Sequence, residues 1–119
     1  MFNEGKFVMH NYIMAFISRH EPSSDQLEMA ADMGYELVHI GDVDGFNTSI
    51  EDIHERLVSV IGETKADLCE TYCVVHAGLA AFLSWQGYSV AVFENKIRID
   101  FGTPPEYHPV KLHVFANYY

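Results

Sequence analysis

The chain has 119 residues, of which 49% are hydrophobic and 20% are charged, and this is the composition of a folded domain rather than of a disordered segment. Its 7 basic and 17 acidic residues give a formal net charge of −10 at pH 7. That balance excludes a protein that coats duplex nucleic acid through a broad basic face. It is compatible with a small anionic ligand held by a few convergent groups.

Cysteine usage and hydropathy indicate a reducing, aqueous compartment. Cys69 and Cys73 are too few for a disulfide scaffold, so we expect reduced, structural thiols. The first residues lack the basic-then-apolar pattern of a signal peptide, and no apolar run approaches the roughly 18 residues of a membrane span. We therefore expect a cytoplasmic protein with no membrane partner.

Apolar and alternating runs recur along the chain, separated by helical segments. Six of these runs predict β-strands, namely 12–17, 35–40, 71–75, 88–93, 96–101 and 110–115. Three segments between the strands predict helices, namely 23–34, 48–62 and 79–86. Residues 104–109, which contain three prolines, predict a stiff loop before the last strand.

Two of the predicted helices begin at sequences with the spacing of a capping box. Ser23 precedes Gln26 by three residues, and Thr48 precedes Glu51 by the same interval. In such a box the hydroxyl accepts a backbone N–H of the first turn and the longer side chain returns the bond. We therefore expect Ser23 and Thr48 to be the two N-caps.

Strands that alternate with helices predict an α/β fold. We expect a single domain over residues 1–119. It is a small Rossmann-like arrangement with a mainly parallel sheet, flanking helices and a C-terminal antiparallel extension. In such sheets a ligand binds at the carboxyl ends of the strands, where the strand order reverses.

Polar clusters follow three of the predicted strands directly, at 18–20, 41–44 and 76–78. In the first of them, Arg19 offers a permanent charge with donors suited to phosphate oxygens. His20 can gain or lose a proton near neutral pH, and Ser18 adds a hydroxyl. The cluster predicts a site that binds phosphate and assists proton transfer, whereas the alternative is an ordinary solvated loop.

Further candidate ligand-binding residues surround this cluster. Ser23 and Ser24 place hydroxyls at a helix start, where unpaired N–H groups attract anions, although they could serve as caps alone. His76 ends the third strand and either lines a pocket or begins a helix. Lys96 and Arg98 share one face of a predicted strand and could close over a polyanion, or they could protect a solvated edge.

The chain lacks the motifs that dinucleotide oxidoreductases, P-loop phosphotransferases and α/β-hydrolases require, which excludes these three enzyme classes. The glycine-rich dinucleotide and P-loop signatures are absent, as is a nucleophile elbow. The aspartates of Asp42-Val43-Asp44-Gly45 invite comparison with haloacid-dehalogenase-type phosphatases, but the aspartates of those enzymes belong to the first strand. Asp and Gly are the usual turn formers, so we expect a plain turn, with a metal ligand as the less favoured alternative. The histidines lack zinc-ligand spacing, so we predict no metal and no cofactor.

One stretch resembles a known family. The strand and turn at 14–20, with the sequence MAFISRH, are followed by Glu21-Pro22 and by the helix start at 22–26, PSSDQ. This stretch resembles the strand-then-Ser-Arg-His start of small CRISPR-associated ring nucleases of the CARF-like type. The resemblance implies a Rossmann-like homodimer whose ligand is a cyclic oligoadenylate, with cyclic tetra-adenylate foremost.

The resemblance also implies a metal-independent reaction in which a ribose 2′-hydroxyl attacks the adjacent phosphorus, so that the enzyme needs no nucleophile of its own. Arg19 would then stabilise the phosphate, and His20 would act as general acid or base. Ser18 and Ser23 would hold the scissile geometry. Two other functions stay open from the sequence. One is a protein that sequesters a cyclic nucleotide without cutting it, and the other is an acidic, phage-encoded inhibitor that binds a protein partner.

Overall fold

Five strands in one sheet organise the computed structural model, which describes residues 12–43, 48–98, 102 and 106–115, with the backbone alone at 97–98 and 106–107. The strands are β1 (Tyr12–Ile17), β2 (Tyr35–His39), β3 (Thr71–Val74), β4 (Ser89–Arg98) and β5 (Glu106–Phe115). The helices are α1 (Ser24–Asp32), α2 (Ile50–Ile61), α3 (Glu63–Ala66) and α4 (Ala77–Trp85).

The strand order across the sheet is β2-β1-β3-β4-β5. β1 pairs in parallel with both β2 and β3, and β3 pairs in parallel with β4. β5 is antiparallel to β4. The expected fold class is therefore confirmed: a small Rossmann-like α/β arrangement whose parallel strands are followed by a C-terminal antiparallel strand.

Helices cover both faces of the sheet because the strand order reverses once. The chain passes from β1 to β2 through α1, returns beyond β1 to β3 through α2, and continues to β4 through α4. Ala30 of α1 lies in one core cluster, whereas Ile53 of α2 and Leu79 of α4 lie in the other. The side chains at 13–17 in β1 alternate between these clusters, which explains their unbroken apolar run.

One of the two predicted caps is confirmed and the other is wrong by one residue. Ser23 caps α1 through a complete capping box with Gln26. At α2 the cap is Ser49, whose Oγ accepts the N–H of Asp52 at 3.1 Å. Thr48 and Ser49 both offer a hydroxyl there, and the helix begins after the second of them.

The predicted elements at the C-terminal end also need correction. The two strands expected at 88–93 and 96–101 are one strand, β4, with a register shift between Glu94 and Asn95. Such a register shift changes which residues face each side of the sheet. The alternation of polar and apolar residues is interrupted there, so the sequence pattern indicates two strands. Residues 106–109, expected in a loop, form the first part of β5, whereas 99–101 and 103–105 lie outside the described residues.

The outer half of β4 extends well beyond its parallel neighbour. Cys73 is level with Ala91, and β3 ends one residue later, whereas β4 continues for seven residues. Residues 94–98 therefore have only β5 beside them among the described strands, and we call this segment and its partner strand the ribbon. The ribbon leaves the sheet at the carboxyl edge of the parallel strands. No described helix is long and apolar enough to cross a membrane.

Candidate functional site

The carboxyl ends of β1, β2 and β3 meet where the strand order reverses. β1 lies between the other two, and the crevice of a doubly wound sheet opens at this point. The segments that leave these strands are 18–20, 40–43 and 75–76. These segments overlap the three polar clusters that the sequence places after strands, so the topology brings the clusters to one edge. We call these three segments the carboxyl edge.

Ser18 fixes the path of the chain at the end of β1. Its N–H donates to the carbonyl of Gly41 at 3.0 Å, and its Oγ accepts the N–H of His20 at 3.3 Å. His39 of β2 donates from Nε2 to the Ser18 carbonyl at 2.7 Å, since a carbonyl can only accept. Ser18 is 9% exposed. The structure therefore gives Ser18 a positioning role in the turn that presents Arg19.

Arg19 and His20 are exposed at the carboxyl edge. Neither side chain has a hydrogen-bond or ion-pair partner among the residues that the structure describes. An exposed guanidinium and an imidazole on neighbouring residues are therefore both available to a ligand. The turn beneath them is held by the bonds that Ser18 makes to His39 of β2 and to Gly41 in the loop after β2.

Asp42 and His76 connect the loops that leave β2 and β3. Nε2 of His76 lies 3.3 Å from Oδ1 of Asp42, and the same oxygen accepts the N–H of Val43 at 3.0 Å. Val43 and Ile40 are buried and anchor this loop in the core. From the sequence alone, Asp42 is expected in a plain turn. Its partner His76 is 34 residues away, and a local pattern carries no signal for that contact.

Arg56 is a second arginine at the carboxyl edge that the sequence analysis missed. Its Nη1 donates to the carbonyl of Ile40 at 3.4 Å. The guanidinium also lies against Gly41, where an added Cβ would be 3.4 Å from Nη1. In the sequence Arg56 reads as one of the polar positions of an amphipathic helix, and only the packing of α2 shows where it reaches.

The two helices that begin at this edge differ in how their first turns are satisfied. Ser23 receives the N–H of Gln26 at 3.2 Å and donates its own N–H to Oε1 of Gln26 at 2.9 Å. Ser23 is therefore engaged as a cap, and Ser24 is the exposed first residue of α1. α4 begins after His76 with no side-chain cap. Its first N–H groups are a better anion site than those of α1.

The remaining predicted ligand-binding residues lie on the ribbon. Lys96 is exposed, and the described residues give it no contact with Arg19, His20 or His76. The backbone of Arg98 ends β4, but its side chain lies outside the described residues. The ribbon carries both cations beyond the same edge of the sheet, and the structure does not join them to the site.

A cavity of about 570 Å³ lies elsewhere, between α2, the segment after α3 and the first residues of β3. Its lining contains four carboxylates, one imidazole and two tyrosines, which belong to Glu51, Glu55, Asp67, Glu70, His54, Tyr72 and Tyr88. His54 pairs with Asp67 at 3.2 Å. None of the predicted site residues lines this cavity, and its charge would repel a phosphate.

The two thiols are enclosed by the sheet and its helices. Burial raises the pKa of Cys73 to about 12 and also raises the pKa of Cys69, whose Sγ donates to the Thr71 carbonyl at 3.4 Å. Both cysteines therefore stay protonated at neutral pH and are poor nucleophiles. They belong to the core, and neither lies in the three segments of the carboxyl edge.

Within the described ranges, no three His, Cys, Asp or Glu side chains are grouped closely enough to hold a metal ion. No family model matches the chain, and neither a curated protein nor a solved structure matches it. The assignment of the carboxyl edge as a candidate site therefore depends on its geometry alone.

Proposed function

We propose that the protein binds a cyclic oligoadenylate, foremost cyclic tetra-adenylate, at the carboxyl edge and cleaves it as a ring nuclease. The observation that carries the proposal is the grouping of cationic and titratable side chains at this edge. Two of the three arginines in the chain and three of its seven histidines lie in the carboxyl edge or contact it. These residues are Arg19, Arg56, His20, His39 and His76.

The charge of the rest of the protein supports an anionic ligand at this edge alone. The chain has an excess of ten carboxylates over basic residues. The first turns of α1, α2 and α3 all carry acidic residues, whereas that of α4 carries none. A phosphodiester is repelled by the acidic surfaces and attracted where Arg19 and the uncapped start of α4 face solvent.

The proposed reaction makes modest demands on the protein. The ribose 2′-hydroxyl is the nucleophile, so the protein has to align the attack in line and stabilise charge at phosphorus. Arg19 binds the phosphate oxygens and His20 acts as a general acid or base. Ser18 holds the turn that positions both, and His76 binds the ligand at the start of α4. The products are linear and end in a 2′,3′-cyclic phosphate, and no cofactor takes part.

In this proposal two copies of the chain bind one ligand as a homodimer. A cyclic tetra-adenylate has two-fold symmetry, so two identical carboxyl edges can each supply the same residues to one ring. The ribbon leaves the sheet at this edge, and in the pair Lys96 and Arg98 bind the ring from outside the crevice. The proposed setting is the cytoplasm of a cell that uses this second messenger in CRISPR signalling.

The test is to incubate the purified protein with cyclic tetra-adenylate or cyclic hexa-adenylate in EDTA, and to resolve the products by liquid chromatography and mass spectrometry. We expect linear di-adenylate with a cyclic phosphate end from the tetra-adenylate. Cleavage should be lost in Arg19→Ala and His20→Ala. It should be retained in Lys65→Ala, which removes an exposed cation from α3.

Two other outcomes would each contradict part of the proposal. An intact ring that co-elutes with the protein would make it a binding protein that sequesters the messenger, and the nuclease would be wrong. If the protein neither binds nor cleaves the ring, both the proposed binding and the proposed cleavage are wrong. The acidic surface would then favour a protein partner, and reversal of surface carboxylates would be the next variant.

A further inference from the structure

The proposed cleavage moves two protons, and His20 can move only one of them at a time. One proton leaves the attacking 2′-hydroxyl, and another must reach the 5′-oxygen that departs from phosphorus. A second group that exchanges protons near neutral pH therefore has to stand at the carboxyl edge. Among the described residues, the histidines besides His20 that lie in this edge or contact it are His39 and His76, and the structure distinguishes between them.

His39 is already engaged in holding the fold. Its Nε2 donates to the Ser18 carbonyl at 2.7 Å, and its ring packs 6.1 Å from the ring of Phe16. His76 is different, because the exposed fraction of its side chain is 48% and its ring makes no cap for α4. Its one described polar contact is with Asp42. His76 is therefore the more exposed of the two histidines, and its second ring nitrogen has no described partner.

The contact with Asp42 decides which nitrogen of His76 carries the hydrogen. An ionised carboxylate only accepts, so Nε2 of His76 is the donor at 3.3 Å, and Nδ1 of the neutral ring keeps its lone pair. Asp42 is itself fixed, because Oδ1 accepts the N–H of buried Val43. The ring is thereby held by a carboxylate on an anchored loop, the arrangement by which a carboxylate prepares an imidazole to accept a proton.

Resting on the proposed function, we infer that His76 is the general base of the cleavage and that Asp42 is its positioning residue. Nδ1 of His76 accepts the proton of the 2′-hydroxyl as the 2′-oxygen forms its bond to phosphorus. The bond from phosphorus to the 5′-oxygen breaks, and His20 donates the proton that the 5′-oxygen needs. Asp42 holds the tautomer and stabilises the imidazolium that forms on His76.

The test combines single-turnover cleavage of cyclic tetra-adenylate with ¹⁵N NMR of the histidine rings. We expect Asp42→Asn to slow cleavage by roughly tenfold or more with Kd changed by less than about twofold, and His76→Gln to slow cleavage by roughly a hundredfold or more. The double variant should be no slower than His76→Gln alone, because Asp42 acts through His76. Asp67→Asn is the matched control, since it removes a similar Asp–His contact from the acidic cavity.

Other results would overturn the inference. If Asp42→Asn cleaves at the wild-type rate, or if its loss multiplies with that of His76→Gln, then Asp42 does not act through His76. The NMR spectrum separates this failure from a failure of the proposed function. If the wild type cleaves nothing while His76 holds its hydrogen on Nε2 and loses that preference in Asp42→Asn, the contact is real and the ring nuclease is wrong.

Discussion

Arg19 is exposed at the end of β1 and has no partner among the described residues, so its guanidinium contributes little to folding. The turn that presents it is held by Ser18, whose N–H and carbonyl bond to the loop and strand beside β1. At the scale of single residues, therefore, binding and stability reside in different side chains. Substitutions can separate the two.

Arg19→Ala should weaken the binding of cyclic tetra-adenylate and leave stability unchanged. A hydrogen bond to a charged group contributes about 1.5–3 kcal/mol, which is roughly a 10- to 150-fold increase in Kd when it is lost. The free energy of unfolding should change by less than about 0.5 kcal/mol. Calorimetric titration and urea unfolding measure the two, with Lys65→Ala as the control of equal charge. Equal affinities for the two variants would refute the role of Arg19.

Cys73 should make the protein less stable at alkaline pH. Burial raises the pKa of its thiol to about 12 in the folded state, against an ordinary value of 9.0 when unfolded. Above pH 9 the unfolded chain loses this proton and the folded chain keeps it. The free energy of unfolding therefore falls by up to about 1.4 kcal/mol per pH unit as pH rises from 9 towards 12.

Urea unfolding at about pH 8 and about pH 10.5 measures this slope. Burial also raises the pKa values of Cys69 and Tyr72, so the wild-type slope includes all three groups. In Cys73→Ala the protein should be less stable throughout, because the substitution opens a cavity. The decrease of its free energy of unfolding with pH should nevertheless be smaller, because one titrating thiol has been removed. An unchanged slope would show that Cys73 does not titrate as its burial implies.

At the scale of elements, each helix start and strand end decides where side chains of the site stand. The N-cap of α2 is Ser49, not the predicted Thr48, and this helix start sets the position of Arg56 relative to the loop after β2. The position of this N-cap therefore determines where Arg56 meets the carboxyl edge.

Ser49→Ala should destabilise the protein by about 0.5–2 kcal/mol, because the N–H of Asp52 loses its acceptor at the helix start. Thr48→Ala is the matched variant one residue earlier, and we expect it to cost clearly less. Urea unfolding of both proteins measures the difference. If Thr48→Ala were the more damaging substitution, the predicted capping box and not the observed cap would describe α2.

The ribbon should open more readily than the sheet from which it extends. Residues 90–93 of β4 are mostly buried, whereas Glu94, Asn95 and Lys96 are exposed. A two-stranded ribbon is marginally stable in water, so its amides open at low free energy. Hydrogen exchange should be fast at 94–98 and slow at 90–93. Uniform protection along β4 would mean that another element covers the ribbon.

The sequence predicts the parallel part of the fold well, most clearly at β1, which is buried on both faces over 13–17 and appears as a continuous apolar run. It failed where the signal depends on pairing. The irregularity at Glu94 and Asn95 divided β4 into two apparent strands, and the pairing of Pro109 with Asn95 was hidden by the proline-rich composition around it.

For the whole molecule, the topology explains which parts of the site the sequence could indicate. The clusters at 18–20 and 76–78 follow strands directly, and a parallel sheet brings such clusters together at one edge. Arg56 and the contact of Asp42 with His76 depend on helix packing and on loops 34 residues apart. No local pattern encodes those distances.

At the same scale, the part of the chain that the structure describes includes two places for a ligand, which differ in charge. The carboxyl edge presents Arg19 and the uncapped start of α4, whereas the cavity beside α2 is lined by four carboxylates. These charges favour the carboxyl edge as the place for a phosphodiester ligand.

The most direct test of the central claim is a titration of ¹⁵N-labelled His20→Ala protein, in which cleavage should be lost, with cyclic tetra-adenylate, followed in two-dimensional NMR spectra. We expect the amides of 18–20, 40–43 and 75–79 to shift with one common Kd, while those of His54, Asp67 and Glu70 around the acidic cavity stay in place. Shifts confined to the cavity, or no shifts at all, would contradict the claim that the carboxyl edge is the ligand site.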